Sequence, residues 1–131
     1  MNGATPTAGN GPAIDWSLLN ELRAMEAEGM PGLAARLVSS YVENSARRLT
    51  DLQTAMSAAD SDRVRRIAHS IKSTSANVGA NPLAELGRAL EHAAQQPHWQ
   101  PKQADVDRIT TEYQRVLRAL SERFTIAPAR N

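Results

Sequence analysis

The chain is 131 residues long with a net charge of +1, and 41% of its residues are hydrophobic but only 4% aromatic. One domain fits that length, and the near-neutral charge excludes a global field that would gather nucleic acid or a membrane surface. Cysteine is absent, which excludes disulfides, thiol catalysis and zinc–thiolate centres.

Residues 1–13, MNGATPTAGNGPA, hold Gly, Pro, Thr and Asn with little to bury, and predict a flexible linker. Asp15 can cap a short first helix with Leu18, Leu22 and Met25 on one face, stopped by Gly29. Pro31 suits the start of a long second helix, where Val38, Val42, Leu49, Leu52, Met56 and Ala59 recur at spacings of threes and fours. Asp60 or Ser61 can cap a third helix with Val64, Ile67, Ala68, Ile71, Ser75 and Val78 inward.

Gly79 is a natural stop, Asn81 a cap, and Pro82 the first residue of a fourth helix bearing Leu83, Leu86 and Leu90. QQPHWQPK, residues 95–102, predicts a loop. A last helix then carries Val106, Ile109, Tyr113, Val116, Leu117, Leu120 and Phe124, and residues 127–131 form an unpatterned, disordered tail. The expected fold is all-α: an antiparallel four-helix bundle with a short additional N-terminal helix, over residues 14–126. No apolar run has membrane-spanning length and no signal peptide is evident, so a cytoplasmic location without membrane association is expected.

One histidine departs from the core pattern. At about 100° per residue, His69 lies off the apolar face of the third helix, sharing a stripe with Arg65, Lys72, Ser73 and Ala76. The imidazole should be accessible, with a cation one turn away and short side chains beside it. That pattern leaves room for an incoming macromolecule, with Arg65 and Ala76 on the docking surface. With Ala80 as the turn, Glu91 is as far after it as His69 is before it. Glu91 can therefore accept from Nδ1–H, fix the tautomer and leave Nε2 as nucleophile. Taken alone, each of these residues is more often an ordinary surface group. Metal binding at His69 is not expected, because the third and fourth residues after it, Lys72 and Ser73, are poor ligands.

The stretch AHSIKSTSANVGANPLAELGRALE, Ala68 to Glu91, resembles the signature of histidine-containing phosphotransfer (HPt) domains of bacterial phosphorelays. The likeness rests on Ala68-His69, Lys72, Gly79-Ala80 at the helix end, then Leu83, Leu86, Leu90 and Glu91. It implies that His69 takes a phosphoryl group from the aspartate of a response-regulator receiver domain and passes it to another receiver. It further implies that Lys72 offsets phosphoryl charge and that Glu91 holds the imidazole. Ser73 stands where many members have Gly; it is small and can donate a hydrogen bond.

The resemblance implies a phosphocarrier with no cofactor of its own, since the chain has no Gly-rich nucleotide loop. Mg2+ and the aspartate would come from the partner receiver, such as that of a hybrid histidine kinase, and a monomer is expected. Three rival readings remain. A kinase dimerisation helix pair would follow its histidine with an acid and a nearby proline, whereas Ser70 follows here. A non-catalytic adaptor would bind a receiver without carrying phosphate. A DNA-binding bundle would need a basic recognition face, so no nucleic-acid partner is expected.

Overall fold

The computed structural model describes residues 11–29 and 31–126, arranged as five helices with no strand among the described residues. They are α1 (Ser17–Glu26), α2 (Leu33–Ser57), α3 (Ser61–Asn77), α4 (Asn81–Ala94) and α5 (Gln103–Ser121). The expected linker lies outside the described residues up to residue 10, and the expected tail lies wholly outside them. Of the linker's described end, Ala13 is buried beside Ile14 and joins the core.

Helices α2 to α5 form the antiparallel bundle. Helix α3 packs most extensively on α4; the α2–α3, α4–α5 and α2–α5 contacts close the ring, and α1 leans on α2. Most of the core is the set the spacing selects: Val38, Leu52 and Met56 from α2, Val64, Ala68 and Ile71 from α3, Leu83, Leu86 and Leu90 from α4, and Val106, Ile109, Val116 and Leu120 from α5. Val42, Leu49, Ile67 and Leu117 are only partly buried, and Ala34, Tyr41 and Ala55 of α2 join the core instead. Each large aliphatic side chain removed from water contributes roughly 1.5–3 kcal/mol, which selects these faces over their polar opposites.

Helix ends follow local chemistry. Asp60 accepts from the Arg63 amide at 3.1 Å and caps α3. Asp15 Oδ1 accepts from both the amide and the hydroxyl of Ser17, at 3.0 and 2.7 Å, and so caps α1 from one residue further out. The turn between α3 and α4 is a Schellman motif. Gly79 takes φ +81°, its amide donates to Ala76 O at 3.0 Å, and the Ala80 amide donates to Ser75 O at 2.8 Å. The Asp15 amide donates to Gly79 O at 2.8 Å, and a side chain at Gly79 would run into the Asp15 carbonyl.

Four expectations require correction. The face Leu18, Leu22, Met25 of α1 does not face the core: Leu18 is 37% and Met25 42% exposed, while Leu19 is buried and Leu22 partly so. Helix α1 is held near both ends, by the Asp15 amide on Gly79 O and by Glu26, which accepts from the Ala34 amide at 3.0 Å, and in that placement Leu19 is turned inward. Ala59 follows the end of α2 with φ +52° and is exposed. Helix α4 begins at Asn81 itself, with Ala80 as the cap residue, so the Asn81 side chain does not cap it. Phe124 lies beyond the end of α5, partly buried under the Arg23 guanidinium at 4.4 Å.

The core also holds polar groups that periodicity does not reveal. The hydroxyls of Tyr41 and Ser75 share a buried hydrogen bond of 3.0 Å, and Tyr113 OH donates to Val42 O at 3.1 Å. Glu112 is almost fully buried, and both its oxygens accept from Arg115 Nη1 at 2.9 Å. A buried carboxylate without such a partner would be strongly destabilising. Arg115 also donates to the Gly11 carbonyl, tying the N-terminal segment to α5.

Candidate functional site

The antiparallel α3–α4 hairpin brings His69, Lys72 and Glu91 together. Glu91 Oε2 lies 2.9 Å from His69 Nδ1, and Glu91 Oε1 lies 3.1 Å from Lys72 Nζ. Each carboxylate oxygen therefore holds one partner. Helical side chains lean toward the N-terminus of their own helix. Glu91 starts level with His69 on the antiparallel neighbour and leans toward the turn, while Lys72, one turn nearer to it, leans back, so the carboxylate lies within reach of both.

The three side chains differ in exposure, and the difference sets their chemistry. The His69 ring is 55% exposed, whereas the Glu91 side chain is only 16% exposed. Burial raises the Glu91 carboxyl pKa, but hydrogen bonds from Lys72 and His69, with their charges, outweigh it and hold the group below the ordinary value. An ionised carboxylate only accepts, so Nδ1 is the donor of the His69–Glu91 bond. The neutral ring is then the Nδ1–H tautomer, and its free lone pair lies on Nε2.

Around the ring, Ser73 and Ala76 are exposed on the same stripe, and Gly79 is buried at the turn. Arg65 donates to Asp62 at 2.7 Å, and Arg66 pairs with the same carboxylate. Arg65 thus reaches the stripe as one member of an ion-pair cluster. Lys72 likewise is not the free cation that a reading of α3 alone suggests, because Glu91 already engages it. Position on the helix signals the pair: Lys72 follows His69 by one turn and so faces the same carboxylate. His92 and His98 are exposed and lie outside this constellation. Trp16 and Trp99 are partly buried against the core, as packing lids.

Among the described residues, no group of three or more His, Asp or Glu side chains is placed to hold a metal ion. No described helix is long and apolar enough to cross a membrane.

The four-helix bundle thus presents an exposed imidazole, held through Nδ1 and beside a lysine, on an open helix face. The Hpt domain family model matches residues 36–119, and the chain belongs to that family of histidine phosphotransfer domains of phosphorelays. Its structure is similar to the crystal structure of histidine-containing phosphotransfer protein B (HptB) from Pseudomonas aeruginosa PAO1. The TM-score is 0.71 at 30% identity, covering 86% of this chain and 96% of that one. Curated proteins yield no match. Family members are phosphocarriers and not kinases, and they interact with receiver domains.

Proposed function

We propose that His69 is the phosphoryl-carrying residue, loaded by the phospho-aspartate of one receiver domain and discharged to the aspartate of another. The observation that carries this reading is the Nδ1–Glu91 hydrogen bond on a ring that is otherwise exposed. In the forward step the Nε2 lone pair attacks phosphorus, the bond from phosphorus to the aspartate oxygen breaks, and the aspartate leaves as a carboxylate. Nδ1 keeps its proton throughout, and the Glu91 carboxylate opposes the positive charge that develops on the ring. Lys72, close to the incoming phosphoryl oxygens, offsets part of their charge, and Ser73 offers a hydroxyl at the same edge.

Magnesium and the aspartate belong to the receiver in this reading, so the chain needs no cofactor of its own. Arg65 and Ala76 contribute to the receiver-docking face around the ring. The receiver of a hybrid histidine kinase is a suitable donor, the carrier acts as a monomer, and transfer takes place in the cytoplasm.

The test is loading from a phosphorylated receiver domain with Mg2+. Wild-type protein should gain an acid-labile, alkali-stable phosphate, and His69→Gln should gain none while keeping its helical circular dichroism. Label on His92 or His98 would refute the assignment. Receiver binding without any phosphate transfer by the wild type would instead make the chain a non-catalytic adaptor.

A further inference from the structure

Gly87 is the point where α4 touches the turn of α3 that carries the site. A methyl group on Gly87 would sit 2.8 Å from Lys72 N, 3.0 Å from Ala68 O and 3.2 Å from Ile71 Cγ2. Two of those atoms are backbone and cannot rotate aside. The residues contacted, Ala68 to Lys72, span His69 itself. Glycine is among the poorest helix formers, so propensity does not explain its place inside α4. Close approach of the two backbones does.

We infer that Gly87 is a positioning residue for the His69 site: by letting α4 close on the Ala68–Lys72 turn, it sets the gap that Glu91 must bridge. Glu91 lies one turn beyond Gly87 on the same face of α4, and its side chain leans back toward it. A glutamate has a short reach, yet Glu91 serves two partners on α3, at 2.9 and 3.1 Å. Any separation of the helices at Gly87 opens both contacts together. The turn pushed away would be the one that carries the imidazole and the lysine, so the displacement falls on the site itself. The functional side of this inference rests on His69 being the carrier, whereas its geometric side does not.

Gly87→Ala tests it, read by 15N chemical shifts of the His69 ring, by thermal melting and by loading from a phosphorylated receiver. The expected result is a folded protein with a lowered Tm and loss of the Nδ1–H tautomer bias. Loading should slow by roughly tenfold or more, as a misplacement of about 1 Å is enough to cause. Val116→Ala, which opens a cavity at a fully buried position on α5, is the control for lost stability alone. It should lower Tm without moving the ring shifts or the loading rate.

Retention of wild-type ring shifts by folded Gly87→Ala would overturn the inference. So would equal ring and rate changes in Val116→Ala. Should Gly87→Ala fail to fold, Glu91→Asp decides the matter at an unchanged backbone. The carboxylate shortened by one methylene should lose the tautomer bias if the gap is limiting, and full retention would overturn the inference. A wild-type protein that never loads, together with shifted ring resonances in Gly87→Ala, would refute the carrier reading and leave the positioning role standing.

Discussion

The carboxylate of Glu91 spans from α4 to α3 and takes a hydrogen bond from His69 Nδ1 at 2.9 Å. An acceptor in that place orients the ring and selects its tautomer, which leaves the free lone pair of the neutral ring on Nε2. The same carboxylate holds Lys72, so one group organises both side chains that a phosphoryl group would meet.

Glu91→Ala removes the acceptor for Nδ1–H. The His69 15N shifts should move toward those of a ring free to exchange tautomers, and loading should slow by about tenfold, the equivalent of one net hydrogen bond. Glu91→Gln should retain more activity, because its amide oxygen still accepts. Identical ring shifts in wild type and Glu91→Ala would mean that the two side chains do not meet in solution.

Lys72→Ala separates charge from fold. A partly exposed ion pair contributes at most about 1 kcal/mol, so Tm should fall by less than about 6 °C. Loading from a phosphorylated receiver should nevertheless slow several-fold, because the cation nearest the incoming oxygens is gone. Unchanged loading would reduce Lys72 to a partner of Glu91 alone.

Glu91 also predicts a pH dependence. Its folded pKa lies below the ordinary value of 4.5, so its contribution to stability is complete above that value and fades as pH falls through the folded one. Between about pH 5 and pH 3, wild type should therefore lose more Tm than Glu91→Gln. Acid limbs that run parallel would show that the carboxylate gains nothing from Lys72 and His69 in the folded state.

The rotation of α1 is tested by neighbouring leucines. Leu19 is 1% exposed, so Leu19→Ala should lower stability by roughly 2–5 kcal/mol. Leu18→Ala, on the exposed side, should stay within about 0.5 kcal/mol of wild type. Chemical denaturation of both variants measures the contrast. Equal losses would place Leu18 in the core.

Periodicity located the helices of the bundle because burial of a continuous apolar face dominates their energetics, and such a face repeats in the chain itself. The α3 face from Val64 to Val78 and the α5 face from Val106 to Leu120 are cases where repeat and burial coincide. The stop at Gly79 was legible for a local reason, since a left-handed turn favours glycine. The exposed place of His69 followed from its angle on α3, and the facing of Glu91 from equal spacing on either side of the turn.

Tertiary structure alone decided the rest. Helix α1 carries two possible apolar stripes, and its placement, tied through Asp15 to Gly79 and through Glu26 to the Ala34 amide, leaves Leu19 inward and Leu18 exposed. The burial of Glu112 depends on Arg115, and that of Tyr41 on Ser75 across the bundle, because a polar group enters the core only where a partner awaits it. The sharing of Glu91 between His69 and Lys72 depends in turn on how closely two backbones approach at Gly87, a distance that no single helix contains.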